Sequence, residues 1–271
     1  LDRSFQPSDS ALMVPRTDDG RVLFMIPWHD KVLVGTTDTE MPSPCEEPRA
    51  LDEEIDFILA NVNRYLAREA QRSDVLSVFA GLRPLVQADP GAETKTISRE
   101  HAVLVSASGL VTIVGGKWTT YRKMAQDTVD DALAVAGLGA RPCPTEALPI
   151  HGWMERHHPE FPTLPALQPY GADHAEVRAI EARSPLHAEL LHPRLPYRIA
   201  HVVYAARNEM ARTLEDVLAR RTRSLLLDAR ASIEAAPRTV EILAAELGRS
   251  AEWRSAQLHD YEELAHGYLV R

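Results

Sequence analysis

VTIVGGKWTTYRKM, residues Val111 to Met124, decides how the rest of the chain is read. Val111, Thr112, Ile113 and Val114 are β-branched and mostly apolar, two glycines follow, and from about Thr119 to Leu138 apolar residues recur at helical spacing. The pattern predicts a strand, a tight turn and the start of a helix. Gly115 and Gly116 allow positive φ and leave room for a ligand beside the backbone. The unbonded amides of a helix N-terminus and the positive end of its dipole face the same spot, which suits an anion or a polarised carbonyl. Lys117 adds a mobile positive charge there, and Thr119 and Thr120 offer hydroxyls for capping or ligand contact. An ordinary turn between strand and helix with a threonine cap fits the same spacing equally well.

Working outward toward the N-terminus, Ala11 to Asp38 reads as a meander of antiparallel strands: ALMVPR, VLFMIPW and KVLVGTTD, with turns at Thr17 to Arg21 and at His29-Asp30. The proline-rich acidic stretch from Glu40 to Leu51 predicts an exposed loop. Asp52 to Glu69 places Ile55, Ile58, Leu59, Val62, Tyr65 and Leu66 on one helical face, with Asp52, Glu53 and Glu54 at its positive end. Val75 to Val86 predicts a strand that turns at Gly81 and stops at Pro84, and Thr96 to Val105 predicts a strand pairing with Leu110 to Val114. Beyond the Lys117 helix the strand signals end. Gly137 to His158 is rich in glycine and proline, and helical patterns then run over 172–183, 197–212, 224–247 and 251–268, with Thr213 and Ser250 as caps.

The fold class expected is therefore α+β: an antiparallel β-rich half ending in a helix, followed by an all-α C-terminal domain. The expected division is 1–140 for the β-rich domain, 141–160 for a linker and 161–271 for the helical domain. A length of 271 residues suffices for two cores. The 30 basic and 39 acidic residues give a net charge of −9, which offers nucleic acid no global attraction. Cys45 and Cys143 form neither a C-x-x-C nor a zinc pattern and read as reduced thiols of a cytoplasmic protein. No apolar run approaches the roughly 18 residues a spanning helix needs, and the first ten residues resemble no signal peptide. The chain opens on Leu1 in a polar segment leading directly into a strand, so a piece of a longer protein is expected.

Four basic side chains fall on loops or strand ends of the β-rich half: Arg83 in AGLRPL, Arg99 in TISREH, Lys117 and Arg122. Brought together, they would form a pocket for a small phosphate or carboxylate, because guanidinium groups bind such anions through two hydrogen bonds at once. Taken singly, each arginine is as readily a solvated or ion-paired surface residue. The histidines of His151, His157, His158, His187 and His192 lack ligand spacing, and no metal site is expected. Arg220, Arg221 and Arg223 sit beside Glu215 and Asp216, which predicts a solvated helix face or ion pairs rather than a lipid-binding patch.

PWHDKVLVGTTD at Pro27 to Asp38, AGLRPL at Ala80 to Leu85, ISREH at Ile97 to His101 and VGGKWTTYRKMA at Val114 to Ala125 together resemble the second half of FAD-dependent glycerol-3-phosphate dehydrogenase. TLEDVLARRTR at Thr213 to Arg223 is similar to the same family's C-terminal domain, so the resemblance covers essentially the whole chain. It implies that Arg83, Arg99 and Lys117 line the substrate pocket, and that Gly115, Gly116, Lys117, Trp118 and Thr119 approach the pyrimidine end of FAD. The GTTD segment, Gly35 to Asp38, would lie near the same site. The reaction implied is oxidation of sn-glycerol 3-phosphate to dihydroxyacetone phosphate, with hydride passing from C2 to flavin N5 and electrons going on to a membrane quinone. Peripheral association with the inner membrane surface is implied by the same analogy.

The family's opening G-x-G-x-x-G unit, which holds the ADP half of FAD, is not found in this chain, and the family's K-G-S-H histidine would lie before Leu1. The chain is therefore expected to carry half of the site and to be inactive alone. Other readings are an oxidase branch that uses oxygen, a related amine or amino-acid oxidase, and a non-catalytic module whose apolar helical faces serve a homodimer or another partner.

Overall fold

The computed structural model describes residues 1–83 and 100–270. They divide into two units that the chain visits discontinuously: Leu1–Thr37, Glu47–Ala80 and Gly152–Arg271 form the first, and Asp38–Glu46 with Gly81–His151 the second. The architecture is α+β, with small antiparallel sheets in both units and a helical C-terminal region.

The first unit opens with β1 (Leu12–Val14), β2 (Leu23–Trp28) and β3 (Lys31–Gly35), an antiparallel sheet in the order β1-β2-β3. Trp28 pairs with Lys31, so the hairpin turn is the dipeptide His29-Asp30, with φ of 46° and 66°. Two left-handed residues in a two-residue loop match the right-handed twist of the flanking strands, and aspartate tolerates that conformation better than most. Val14, Leu23, Met25 and Val32 point to one face and are buried with Val62 of α1 (Asp52–Val62). The helix starts where expected but stops seven residues short of Glu69. Asn63 ends it: its amide Nδ2 donates to the Ala70 carbonyl at 3.0 Å and its Oδ1 accepts from the Ala70 amide at 2.8 Å, folding the chain back.

The strand expected from Val75 is not formed among residues 75–83. Its backbone groups are satisfied elsewhere in the unit: Val78 N donates to Tyr268 O at 3.0 Å, Leu76 O accepts from Ala229 N at 3.0 Å, and the Ser77 hydroxyl donates to Leu225 O at 2.8 Å. A β-rich segment whose hydrogen bonds are taken by helix ends has no ladder to join. The rest of that expected strand lies outside the described residues.

The helical region consists of α3 (His174–Ala182), α4 (Ile199–Asn208), α5 (Ser224–Leu227), α6 (Ala229–Leu247) and α7 (Ala251–His266). Every residue of α4 from Ile199 to Ala206 is buried, so this helix is apolar all round and forms the centre of the core, with Val177, Ile180, Leu195 and Leu243 against it. The single helix expected over 224–247 is broken at Asp228, whose φ and ψ of −157° and 97° leave the helical region. Its Oδ1 accepts from the Ala231 amide at 2.9 Å, so Asp228 caps α6. Both expected caps are formed. Ser250 Oγ accepts from Trp253 N at 3.3 Å, and Thr213 and Asp216 bond each other's amides reciprocally at 3.0 Å. The Thr213 cap leads into a π-helical turn over Asp216–Arg221.

In the second unit β4 (His101–Val105) pairs with β5 (Val111–Gly115), with His101 opposite Gly115, and α2 (Tyr121–Val135) packs on this hairpin.

His201 sits in the first turn of α4 with 2% of its surface exposed, and its Nδ1 accepts from the Arg198 amide at 3.1 Å. Burial disfavours the charged ring and lowers its pKa from 6.5 to about 4. The unfolded chain takes up this proton near pH 6.5 and the folded one only near pH 4, so stability is fully present above about 6.5 and falls as the pH drops through that window. The loss is on the order of 3 kcal/mol. Chemical denaturation at a series of pH values is expected to reveal that slope, and a His201→Leu variant to lack it whatever its own midpoint.

Candidate functional site

The turn between β5 and α2 is built by two consecutive left-handed glycines, Gly115 at φ 72° and Gly116 at φ 86°. A Cβ on Gly116 would overlap the Met124 sulfur and stand 3.2 Å from the Cβ of His101, so the position excludes a side chain by both conformation and space. Lys117 is extended, Trp118–Thr120 form a single 3-10 turn, and α2 begins two residues after the expected Thr119. Thr120 explains the delay. Its hydroxyl accepts from Lys117 N at 3.3 Å and donates to Lys117 O at 3.0 Å, which closes a local loop ahead of the helix instead of capping it.

Several groups of this turn stay open for a ligand. Among the described residues the Lys117 ammonium has no ion pair, and the amides of Trp118 and Thr119 have no acceptor. Trp118 is 87% exposed and stacks on Tyr121 with ring centroids 5.6 Å apart. A large aromatic this exposed, held flat by a neighbouring ring, is a ready wall for a planar ligand.

Beneath the turn lies a polar support that sequence reasoning left unassigned. His101 Nε2 is 3.0 Å from Asp127 Oδ2, and Lys123 Nζ is 2.6 Å from Asp127 Oδ1. The hydrogen bonds from Lys123 and then from His101 hold the Asp127 carboxyl below its ordinary pKa. His101 is the last residue of the ISREH motif, so its register opposite Gly115 was the signal that could have found it. Asp127 carried no signal beyond its i,i+4 spacing from Lys123.

The other basic residues are placed differently. Arg83 Nη1 lies 2.6 Å from Asp38 Oδ2, the last residue of the GTTD segment, and makes no hydrogen bond or ion pair with the glycine turn. Arg122 Nη1 donates to Gln126 Oε1 at 3.0 Å and to Thr145 Oγ1 at 3.2 Å, which commits it to its own helix and the following loop. Arg99 lies outside the described residues. Gly115, Gly116, Lys117, Trp118 and Thr119 thus form one compact turn, and Arg83 forms a separate pair within the same unit.

Residues 111–254 match the family model described as the C-terminal domain of alpha-glycerophosphate oxidase, and residues 2–122 match that of FAD dependent oxidoreductase. The chain belongs to the alpha-glycerophosphate oxidase family of FAD-dependent oxidoreductases. It is 40% identical over 274 residues to mitochondrial glycerol-3-phosphate dehydrogenase of Mesocricetus auratus, covering 94% of this chain and 37% of that protein. The corresponding Homo sapiens enzyme is 36% identical over 285 residues, covering 98% and 38%. Among solved structures, the glycerol-3-phosphate dehydrogenase from Bacillus halodurans complexed with FAD is similar at a TM-score of 0.78 and 26% identity, over 99% of this chain and 55% of that one. The chain therefore spans between one third and two fifths of these curated relatives' length. Among the described residues no helix is long and apolar enough to cross a membrane.

Gly116→Ala is expected to cost about 1–2 kcal/mol for the left-handed backbone, with the Met124 overlap in addition. Adding Met124→Ala should relieve the overlap in the double variant relative to the sum of the two single ones, while the backbone cost persists. A double-mutant cycle by chemical denaturation checks both.

Proposed function

We propose that this chain supplies the substrate-facing and flavin-facing part of a FAD-dependent glycerol-3-phosphate dehydrogenase. The observation that carries the reading is the Gly115-Gly116-Lys117 turn, with its exposed ammonium and two amides free of internal acceptors, in a chain of this family. The turn fits the electron-rich carbonyl edge of a flavin: the glycines keep side chains out of the approach, and the ammonium and amides are donors aimed at accumulating negative charge. FAD, when bound, supplies the two-electron acceptor for the hydride released from C2 of glycerol 3-phosphate. Gly115, Gly116, Lys117, Trp118 and Thr119 hold that edge, and Trp118 shields one side from water.

Arg83 and Arg99 bind the phosphate or polarise the oxygen of the developing carbonyl, and Lys117 contributes its positive charge to substrate binding. The pairing of Arg83 with Asp38 does not bar this role. Both side chains are partly exposed, at 39% and 27%, and such a pair contributes only about 0–1 kcal/mol, which a phosphate dianion with two hydrogen bonds to the guanidinium readily offsets. Asp38 meanwhile keeps the guanidinium oriented in the absence of substrate. The product is dihydroxyacetone phosphate. Electrons pass on to a quinone, and the protein associates peripherally with the inner membrane on its cytoplasmic side. The matched oxidase family model supports a second reading, in which oxygen is the acceptor.

In the protein that contains this chain, glycerol 3-phosphate oxidation is measured with a quinone analogue and, in parallel, by hydrogen peroxide release. Lys117→Met is expected to lower kcat by about 100-fold, and Arg83→Gln to act mainly by raising KM. Peroxide release equal to substrate consumed would replace the quinone by oxygen. Unchanged kinetics in both variants would remove the assignment.

A further inference from the structure

The helical region holds a cavity of about 260 Å³ that none of the flavin chemistry uses. Tyr170, Tyr197, Glu209, Arg220, Arg221 and Arg223 line it, all within the first unit. The three arginines look alike in sequence, yet their partners separate them. Arg220 is held by Glu215 at 2.5 Å and Asp216 at 2.8 Å. Arg221 donates through Nε and Nη2 to the Glu209 carbonyl at 3.0 and 2.6 Å. Arg223 has no hydrogen bond or ion pair on its guanidinium among the described residues, and its backbone is left-handed at φ 56°. A cation placed on strained backbone at a cavity, with no internal partner, is an unusual expense for structure alone.

The rest of the lining supplies donors and one acceptor. The hydroxyls of Tyr170 and Tyr197 have no hydrogen-bond partner among the described residues, and burial keeps both phenols protonated, pushing Tyr197 up to about 12. Glu209 Oε2 is buried without a hydrogen bond, and desolvation raises its pKa. Such an atom is satisfied by a ligand hydroxyl, which donates to it directly. Three donor groups and one unmatched acceptor line the same cavity, with Glu209 in the electrostatic field of both Tyr170 and Arg223, and they call for a ligand that carries both an oxyanion and a hydroxyl. The volume lies just below the usual range of ligand pockets, which suits a short-chain metabolite and excludes a nucleotide.

We propose that this cavity binds a small hydroxylated oxyanion, best matched by the phosphomonoester of a short polyol, through the Arg223 guanidinium and the Tyr170 and Tyr197 hydroxyls, with Glu209 accepting from the ligand's own hydroxyl. The proposal does not rest on the flavoenzyme reading, because no residue of the glycine turn takes part. The test is calorimetric titration of glycerol 2-phosphate into the protein that contains this chain, carrying Arg83→Gln to remove the arginine assigned to the substrate site, and into the same protein carrying Arg83→Gln/Arg223→Gln. Saturable binding in the first that weakens at least about tenfold in the second is expected. Arg223→Lys, which keeps the charge without the planar fork, should fall between them and serves where the glutamine variant folds poorly. Absence of saturable binding to the Arg83→Gln protein, or equal affinity with and without the Arg223 guanidinium, overturns the proposal.

Discussion

Two successive left-handed residues at Gly115 and Gly116 are the constraint on which the second unit depends. They turn the chain from an extended strand into a helix within a few residues, and they do so only because neither carries a Cβ. The strand brings His101 opposite Gly115 and the helix brings Asp127 back to His101, so the ion-paired cluster beneath the turn is a consequence of the same reversal. The exposed donors are its other consequence. A sharper, fully capped start to α2 would have consumed the amides of Trp118 and Thr119, whereas the 3-10 turn and the inward use of the Thr120 hydroxyl leave them open.

The first unit is governed by burial instead. α4 is enclosed on all sides from Ile199 to Ala206, and a helical stretch with no exposed face cannot exist without elements packed around its whole circumference. α3 and α6 meet this demand, and the loop around residues 166 and 167 closes part of the remainder with Leu167. His201 is a costly inclusion in so apolar a helix, and its burial adds an imidazole contribution to the loss of stability in acid.

Much of this architecture was legible in the sequence because local chemistry and tertiary demand agree. The His29-Asp30 hairpin, the three N-terminal strands, the Ser250 and Thr213 caps and the glycine turn follow from residue types at fixed offsets. The failures occur where a long-range partner overrides a local pattern. Val75 to Ala80 has strand propensity, but its hydrogen bonds go to Leu225, Ala229 and Tyr268, some 150 or more residues away in sequence. Asp228 interrupts a continuous helical periodicity because its side chain caps the next helix more favourably than it could lie within one. In the candidate site, the residue types were legible and their division of labour was not. Nothing in spacing distinguishes an Arg122 bound to Gln126 and Thr145 from an Arg83 paired with Asp38.

The same limit is sharpest in TLEDVLARRTR. Read as an α-helix, the acidic residues at 215 and 216 and the arginines at 220, 221 and 223 form a solvated ion-paired face, and Arg220 obeys that reading. The π-helical turn over Asp216–Arg221 widens the spiral, and each residue after it is rotated away from the direction α-helical counting assigns. Arg221 therefore reaches inward to a carbonyl, and Arg223 leaves the helix altogether on a left-handed residue. One inserted position in the helical winding thus converts a run of equivalent surface charges into one structural clamp, one surface pair and one guanidinium facing a cavity. Composition predicts none of this, because the distinction lies in the phase of the helix and not in the identity of its residues.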